Sequence, residues 1–349
     1  MIDQSRILDA QSLLARHFGP TRIARAASLS SPGHDVFLKI ETELPTGSFK
    51  VRGAIYALSV NLAHGAIAEV VCASTGNHGA AVAYAAKRLG VPATIFLPQD
   101  PNPVKAARIR ELGARIVEAG ADLSAAIDAA RDHAARSAAF FLHDASDADV
   151  PAGTATIGLE IVKQVPDVDA IYVPMGDTAL IRGVASAAKQ HRASIRIVGV
   201  VAEQAPTYLL SWRRAQGSRL RAPRASVGQA GLMADRRELN ADDVVETATC
   251  ETIADGLAVR RPLAANVAAI RELVDEVVAV SEQEMFAAIE WLDAREQVIA
   301  EPAGAAATAA FLKHRDGDVG RVLQDPAHTS VLLVTGCNIA PGLRDVRSR

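Results

Sequence analysis

Lys50 is the residue whose setting in this 349-residue chain most plainly suggests chemistry. It ends the run Pro45-Thr46-Gly47-Ser48-Phe49-Lys50, ahead of a helical pattern in which Ile55, Leu58 and Leu62 recur at helical spacing. A helix N-terminus favours anions and depresses the pKa of an ammonium placed there. A lysine kept partly neutral is a nucleophile able to form a Schiff base with an aldehyde. The competing reading is a surface lysine in a first helical turn, and this stretch alone admits both.

Four further stretches carry polar residues at the ends of strand-like runs, where open parallel sheets bind ligands. Ser74-Thr75-Gly76-Asn77-His78-Gly79 precedes a helical run, so its N–H groups can receive a carboxylate or phosphate, or simply form a capped turn. Pro174-Met175-Gly176-Asp177-Thr178-Ala179-Leu180 has the same setting. There Thr178 is a good donor, while Asp177 puts a negative charge where an anion would sit, or serves as the helix cap. Glu301 stands before a helical run, where favourable pairing with the helix dipole would alone account for it. Thr335-Gly336-Cys337-Asn338 follows the last strand-like run, and a lone cysteine there is more often inert than reactive.

The elements that must position these stretches alternate. Strand-like runs at 36–41, 70–74, 93–97, 115–118, 140–143, 170–174, 196–201 and 330–334 are interleaved with alanine-rich helical runs at 5–18, 54–62, 80–89, 104–112, 122–135, 156–165, 180–190, 281–294 and 303–314. Such alternation argues for an α/β fold with parallel sheets covered by helices. Residues 213–240, rich in Arg, Ser and Gly, read as loop or weak helix. Length suggests two domains. A net charge of -3 gives no reason to expect nucleic acid or an anionic membrane as partner. Three widely spaced cysteines fit a reducing compartment and lack zinc spacing. No signal peptide and no bilayer-length apolar run is visible, so a cytoplasmic protein is expected.

Taken together, the chain resembles the fold-type II family of pyridoxal 5′-phosphate (PLP) enzymes, in its serine/threonine dehydratase and serine racemase branch. The resemblance rests on the 45–54 and 74–79 stretches, on Gly153-Thr154-Ala155-Thr156-Ile157-Gly158-Leu159-Glu160, on Thr252-Ile253-Ala254-Asp255-Gly256-Leu257-Ala258-Val259 and on Glu301-Pro302-Ala303-Gly304-Ala305, in that order. It implies a large PLP-binding domain (1–65 with 148–349), a small mobile domain (66–147) that closes over substrate, and a homodimer. It implies that Lys50 carries the cofactor and shuttles the α-proton, with Thr75 a second catalytic hydroxyl. Phe49, Asn77, Gly176, Asp177, Thr178, Ala179, Leu180, Glu301 and Thr335 would hold the cofactor, with Asn77 on its phenolic oxygen and Thr335 on its pyridine nitrogen. Ser74, Thr75, Gly76, Asn77 and His78 would receive an amino-acid substrate. A neutral hydroxyl at the pyridine makes the ring a poorer electron sink, which favours β-elimination from a β-hydroxy amino acid to a 2-oxo acid and ammonia. A racemase or β-replacement enzyme is the alternative, and a cofactor-free binding protein a further one.

The chain also departs from the family pattern. The phosphate loop, typically glycines, reads Gly176-Asp177-Thr178-Ala179-Leu180, so either Asp177 turns away from the phosphate or cofactor affinity is altered. Thr75 replaces the serine of racemases. Leu209 stands where an acidic companion of Glu203 would complete a metal site, so no dedicated metal site is expected. Cys337 occupies a position where glycine is common. The β-substituent pocket is expected near His143 to Val150 and in 213–240.

Overall fold

The computed structural model describes residues 1–74, 76–101, 103–220, 244–316 and 328–339. The chain opens with α1 (Gln4–Leu14), β1 (Ile23–Arg25), β2 (His34–Ile40), a 3-10 turn at Glu41–Glu43 and α2 (Lys50–His64). Next come β3 (Val70–Ala73), α3 (Asn77–Leu89), β4 (Ala93–Leu97), α4 (Pro103–Glu111), β5 (Arg115–Glu118), α5 (Leu123–Ser137) and β6 (Phe140–Phe141). The second half runs α6 (Val150–Gln164), β7 (Ala170–Pro174), α7 (Ala179–His191), β8 (Arg196–Ala202), α8 (Thr207–Leu220), α9 (Ala264–Leu273), β9 (Glu276–Val280), α10 (Glu282–Glu296), α11 (Pro302–Asp316) and β10 (His328–Val334).

Among the described residues these strands build two sheets, one of six strands in the order β1-β2-β10-β7-β8-β9 and one of four in the order β5-β4-β3-β6. Every neighbouring pair is parallel except β1 with β2. The period-2 alternation of strands explains the layering. In the smaller sheet Val70, Cys72, Ile95 and Leu97 pack with α2 and α3, whereas Val71, Ala73 and Phe96 pack on Ala126, Ala130 and Ala134 of α5. In the larger sheet Leu38, Tyr172, Val198 and Leu332 face α10 and α11, while Ile171, Ile197 and Leu333 face α6, α7 and α9. Both sheets are therefore buried on two sides, as parallel sheets require.

Helix α2 is seated by two features of its first turn. Gly53 and Gly153 let α2 and α6 touch backbone to backbone: a Cβ on Gly153 would lie 2.6 Å from the Arg52 carbonyl oxygen, and one on Gly53 would lie 2.7 Å from Val150 Cγ1. Arg52 is fully buried and donates to both carboxylates around it, Nε to Glu41 Oε2 at 2.7 Å and Nη1 to Glu160 Oε1 at 2.6 Å. Lys39 Nζ completes the cluster by donating to Glu160 Oε2 at 2.6 Å and to the Thr21 carbonyl at 2.9 Å. Burial opposes these charges, yet the two carboxylates raise the Arg52 pKa further above its ordinary value. Two cations match two carboxylates, and removing any one would strand a buried charge.

The structure differs from the sequence-based expectations in places. Helix α6 begins at Val150 rather than Thr156, because Pro151 sits in its first turn, where no hydrogen bond is lost. Residues 207–220, expected in part as loop, form α8; the rest of the expected 213–240 pocket wall up to 240 lies outside the described residues from 221 onward. The strand expected at 140–143 stops at Phe141. No helix among the described residues is long and apolar enough to cross a membrane.

Candidate active site

Ile40 pairs with Val334 in the parallel register of β2 and β10, so the segments that follow both strands leave the same sheet edge. They are stitched together there. Ser48 bridges Gly336, the Phe49 N–H donates to the Thr335 carbonyl at 3.1 Å, and the Cys337 N–H donates to the Gly47 carbonyl at 3.0 Å. Gly47 holds φ +68°, a conformation that favours glycine. Lys50 follows at once as the first residue of α2. Cys337 Sγ turns back toward the Gly47 and Thr42 carbonyls at 3.6 and 3.8 Å.

Asn77, the first residue of α3, is fixed on both sides of its amide. Its Nδ2 donates to Glu301 Oε1 at 2.6 Å, and its Oδ1 accepts from Asn338 Nδ2 at 2.6 Å. Glu301 is itself held against the 335–338 segment, since its N–H donates to the Gly336 carbonyl at 2.9 Å. A Cβ on Gly336 would lie 2.4 Å from Glu301 Oε1, so only glycine leaves the carboxylate room. Ser74 Oγ accepts from the Gly76 N–H at 3.2 Å, and the Thr335 hydroxyl donates to the Ala303 carbonyl at 3.4 Å. The buried His78 ring contacts the Leu142 carbonyl through Nε2 at 3.1 Å, and its Nδ1 stands 3.9 Å from Asp144. Thr75 lies outside the described residues.

Phe49, Lys50, Asn77, His78, Gly176, Asp177, Thr178, Ala179, Leu180, Glu301 and Thr335 line one chamber. It shares walls with an outer cleft that adds Ser74, Gly76, His143 and Asn338. The 176–180 loop is pressed against the 255–257 turn, where a Cβ on Gly176 would lie 2.1 Å from the Gly256 carbonyl oxygen. Thr178 caps α7 in the left-handed region at φ +69°. Its hydroxyl is buried and has no hydrogen-bond partner among the described residues.

The electrostatics correct one expectation. Lys50 is not a depressed ammonium. Burial works against its charge, but the Asp144 carboxylate in direct contact with Nζ, backed by Asp177 and Glu301, raises its pKa above the ordinary lysine value. The helix N-terminus is outweighed by a bonded counter-ion. Asp144 is held well below the usual carboxylate range, because Lys50 and His78 overcome its burial. Asp177 lines the same chamber, close enough to Asp144 and Lys50 for their charges to act on it. Burial and then the Asp144 charge push its carboxyl up to about 7, against the opposing pull of Lys50 and Arg182.

Sequence reasoning missed Asp144 and the role of Asn338. Asp144 falls in the stretch expected to form the substituent pocket, but nothing in the spacing marks it out from Asp147 and Asp149. Asn338 was visible only as the end of a strand-end loop.

The residues present fit PLP. A primary amine, an amide oriented on both sides, and a buried hydroxyl without a partner among the described residues, at the N-terminus of a 13-residue helix, converge on one chamber. The last of these is a setting made for a phosphate. The comparisons with known proteins agree. L-threonine ammonia-lyase of Thermotoga maritima is 34% identical over 317 residues, covering 90% of this chain and 72% of the relative. L-threonine ammonia-lyase of Geobacter sulfurreducens is 32% identical over 340 residues, covering 97% of this chain and 76% of the relative. The structure of maize serine racemase superposes with a TM-score of 0.84 at 26% identity, covering 99% of this chain and 96% of that one. The sequence pattern of the family described as pyridoxal-phosphate dependent enzyme matches residues 14–336, and with most of the chain accounted for, this protein belongs to that family.

Proposed function

We propose that the protein is a PLP-dependent ammonia-lyase that converts a β-hydroxy amino acid of the serine/threonine type to a 2-oxo acid and ammonia. The observation that carries this reading is the convergence of Lys50, Asn77 and Thr178 on one chamber. The relatives named as threonine ammonia-lyases support it.

PLP supplies an aldehyde for the lysine and a conjugated ring that delocalises the electron pair left at the substrate Cα. The chain supplies the rest. Lys50 Nζ takes the α-proton and gives a proton to the departing β-hydroxyl. Asn77, clamped by Glu301 and Asn338, would hold the cofactor's phenolic oxygen through its amide. Thr178 and the first N–H groups of α7, at Ala179 and Leu180, receive the phosphate. Phe49 walls the ring, and Thr335 offers the pyridine nitrogen a neutral hydroxyl. Ser74, Gly76, Asn77 and His78, with Thr75 beside them, form the turn that takes the substrate carboxylate. Residues 66–147 act as a smaller mobile unit that closes over substrate, with 1–65 and 148–349 as the larger one. The protein works as a cytoplasmic homodimer.

The test is product analysis with PLP and L-threonine or L-serine. Stoichiometric 2-oxo acid and ammonia support the reading. The inverted amino acid, or turnover only with an added thiol, would replace it with the racemase or β-replacement alternative.

A further inference from the structure

The contact between Lys50 and Asp144 joins the amine that must reach the substrate Cα to a carboxylate 94 residues along the chain. Both side chains are largely shielded, at 18% and 10% exposed. The segment carrying Asp144 is pinned from behind. The Ala145 carbonyl accepts from Asn266 Nδ2 of α9 at 3.1 Å and from Arg182 Nη2 of α7 at 3.3 Å, and the Asp147 N–H donates to the His143 carbonyl at 2.9 Å. The other titratable or charged groups that act on this pair are His78 of α3, Cys72 of β3, Arg182 of α7, the adjacent His143, Asp177 before α7 and Glu301 before α11. Of these, His78 Nδ1 stands 3.9 Å from Asp144.

Resting on the reading of Lys50 as the reactive lysine, we propose that Asp144 is its positioning residue, holding the Lys50 ammonium in place between the uptake of the α-proton and its delivery to the leaving oxygen. The step balances without consuming Asp144. The Cα–H bond breaks and its proton goes to the Lys50 amine. The electron pair left at Cα forms the Cα–Cβ double bond as the Cβ–O pair departs with oxygen. An ammonium N–H then protonates that oxygen, water leaves, and Lys50 returns to the amine. In a shielded pocket the transient ammonium would otherwise lose its bonded counter-ion and keep only the weaker pull of Asp177 and Glu301. Asp144 stays a carboxylate throughout and fixes where the proton is held.

The experiment is pH-dependent acetylation of the apoprotein with acetic anhydride, reading the Lys50 peptide by mass spectrometry against exposed lysines. Wild-type Lys50 should become reactive only at higher pH than the exposed lysines. Asp144→Asn should raise its reactivity near pH 8 severalfold, the direction expected when a bonded counter-ion is removed. Asp144→Glu should restore the wild-type profile. In the loaded enzyme, Asp144→Asn should change the pH profile of kcat, which a merely structural loss would scale uniformly. A wild-type profile at or below that of exposed lysines overturns the proposal whether or not any variant folds. So does an Asp144→Asn profile identical to wild type. Failure of wild-type Lys50 to capture PLP would instead sink the underlying reading, and acetylation separates the two because it needs no cofactor.

Discussion

Lys50 and Arg52 stand two residues apart in the first turn of α2, yet their surroundings differ in kind. Around Arg52 the charges close on themselves. Arg52 and Lys39 meet Glu41 and Glu160, and Thr21, Thr156 and Gln164 add further hydrogen bonds. Around Lys50 they do not close. Lys50 and Arg182 face Asp144, Asp177 and Glu301, yet one carboxyl is still pushed up to about 7, and the Thr178 hydroxyl is left without a partner among the described residues. The first cluster fixes a helix; the second keeps a buried donor unmet and a carboxyl displaced from its usual range. A buried polar network complete in itself specifies structure, whereas one with an unmet donor and a displaced titration marks a binding site.

That contrast can be broken from either side. The largest effect is expected at Lys50: Lys50→Ala should lower turnover by about 10³-fold or more, since it removes both the attachment point and the proton carrier. Unchanged turnover would remove the site from this pocket altogether. On the closed side, Arg52→Met should cost about 3–5 kcal/mol in denaturant unfolding, because Glu41 and Glu160 keep their burial and lose their shared cation. A loss below 1 kcal/mol would show that the cluster is not what seats α2.

Smaller effects sharpen the difference. Thr178→Ala should weaken PLP binding by roughly tenfold, the size of one hydrogen bond to a charged group, while leaving the apoprotein as stable as wild type. A stability loss without an affinity loss would return Thr178 to the scaffold. Asp177 gives the smallest and most pH-dependent signal. Its folded-state pKa lies above its unfolded one, so the folded protein binds this proton more tightly and its ionisation costs stability. That cost is absent below the ordinary carboxyl range, grows as pH rises toward about 7, and is complete above it. The apoprotein Asp177→Asn should therefore gain on the order of a few degrees in Tm at pH 8 and little at pH 4.5. An equal gain at both would contradict the burial argument.

Much of this was legible in the sequence where local pattern carries the information. The apolar strand runs and the turns at 45–50, 74–79 and 335–338 stand where their types suggest. What escaped depends on distant partners. The start of 213–240 reads as loop or weak helix from Arg213, Arg214, Gly217 and Ser218, and α8 there is held by Tyr208, Leu209 and Ala215 packing beneath the large sheet. Strand β9 is five residues between helical stretches, too short for periodicity to settle. Gly153 precedes the helical run expected at 156–165, and its place inside α6 follows from the Arg52 backbone packed against it. Asn338 meets Asn77 across 261 residues and Asp144 meets Lys50 across 94, and no spacing rule reports either contact. The sign of the Lys50 shift was misread for the same reason: the helix dipole is local and visible, while its counter-ion is not.

The most direct test of the central claim is to incubate the purified protein with PLP, reduce it with borohydride and map the modified peptide. The account expects a yellow protein in which reduction fixes one pyridoxyl group on Lys50, despite the charge at Asp177. A protein that stays colourless, or a label found on another lysine, would contradict it.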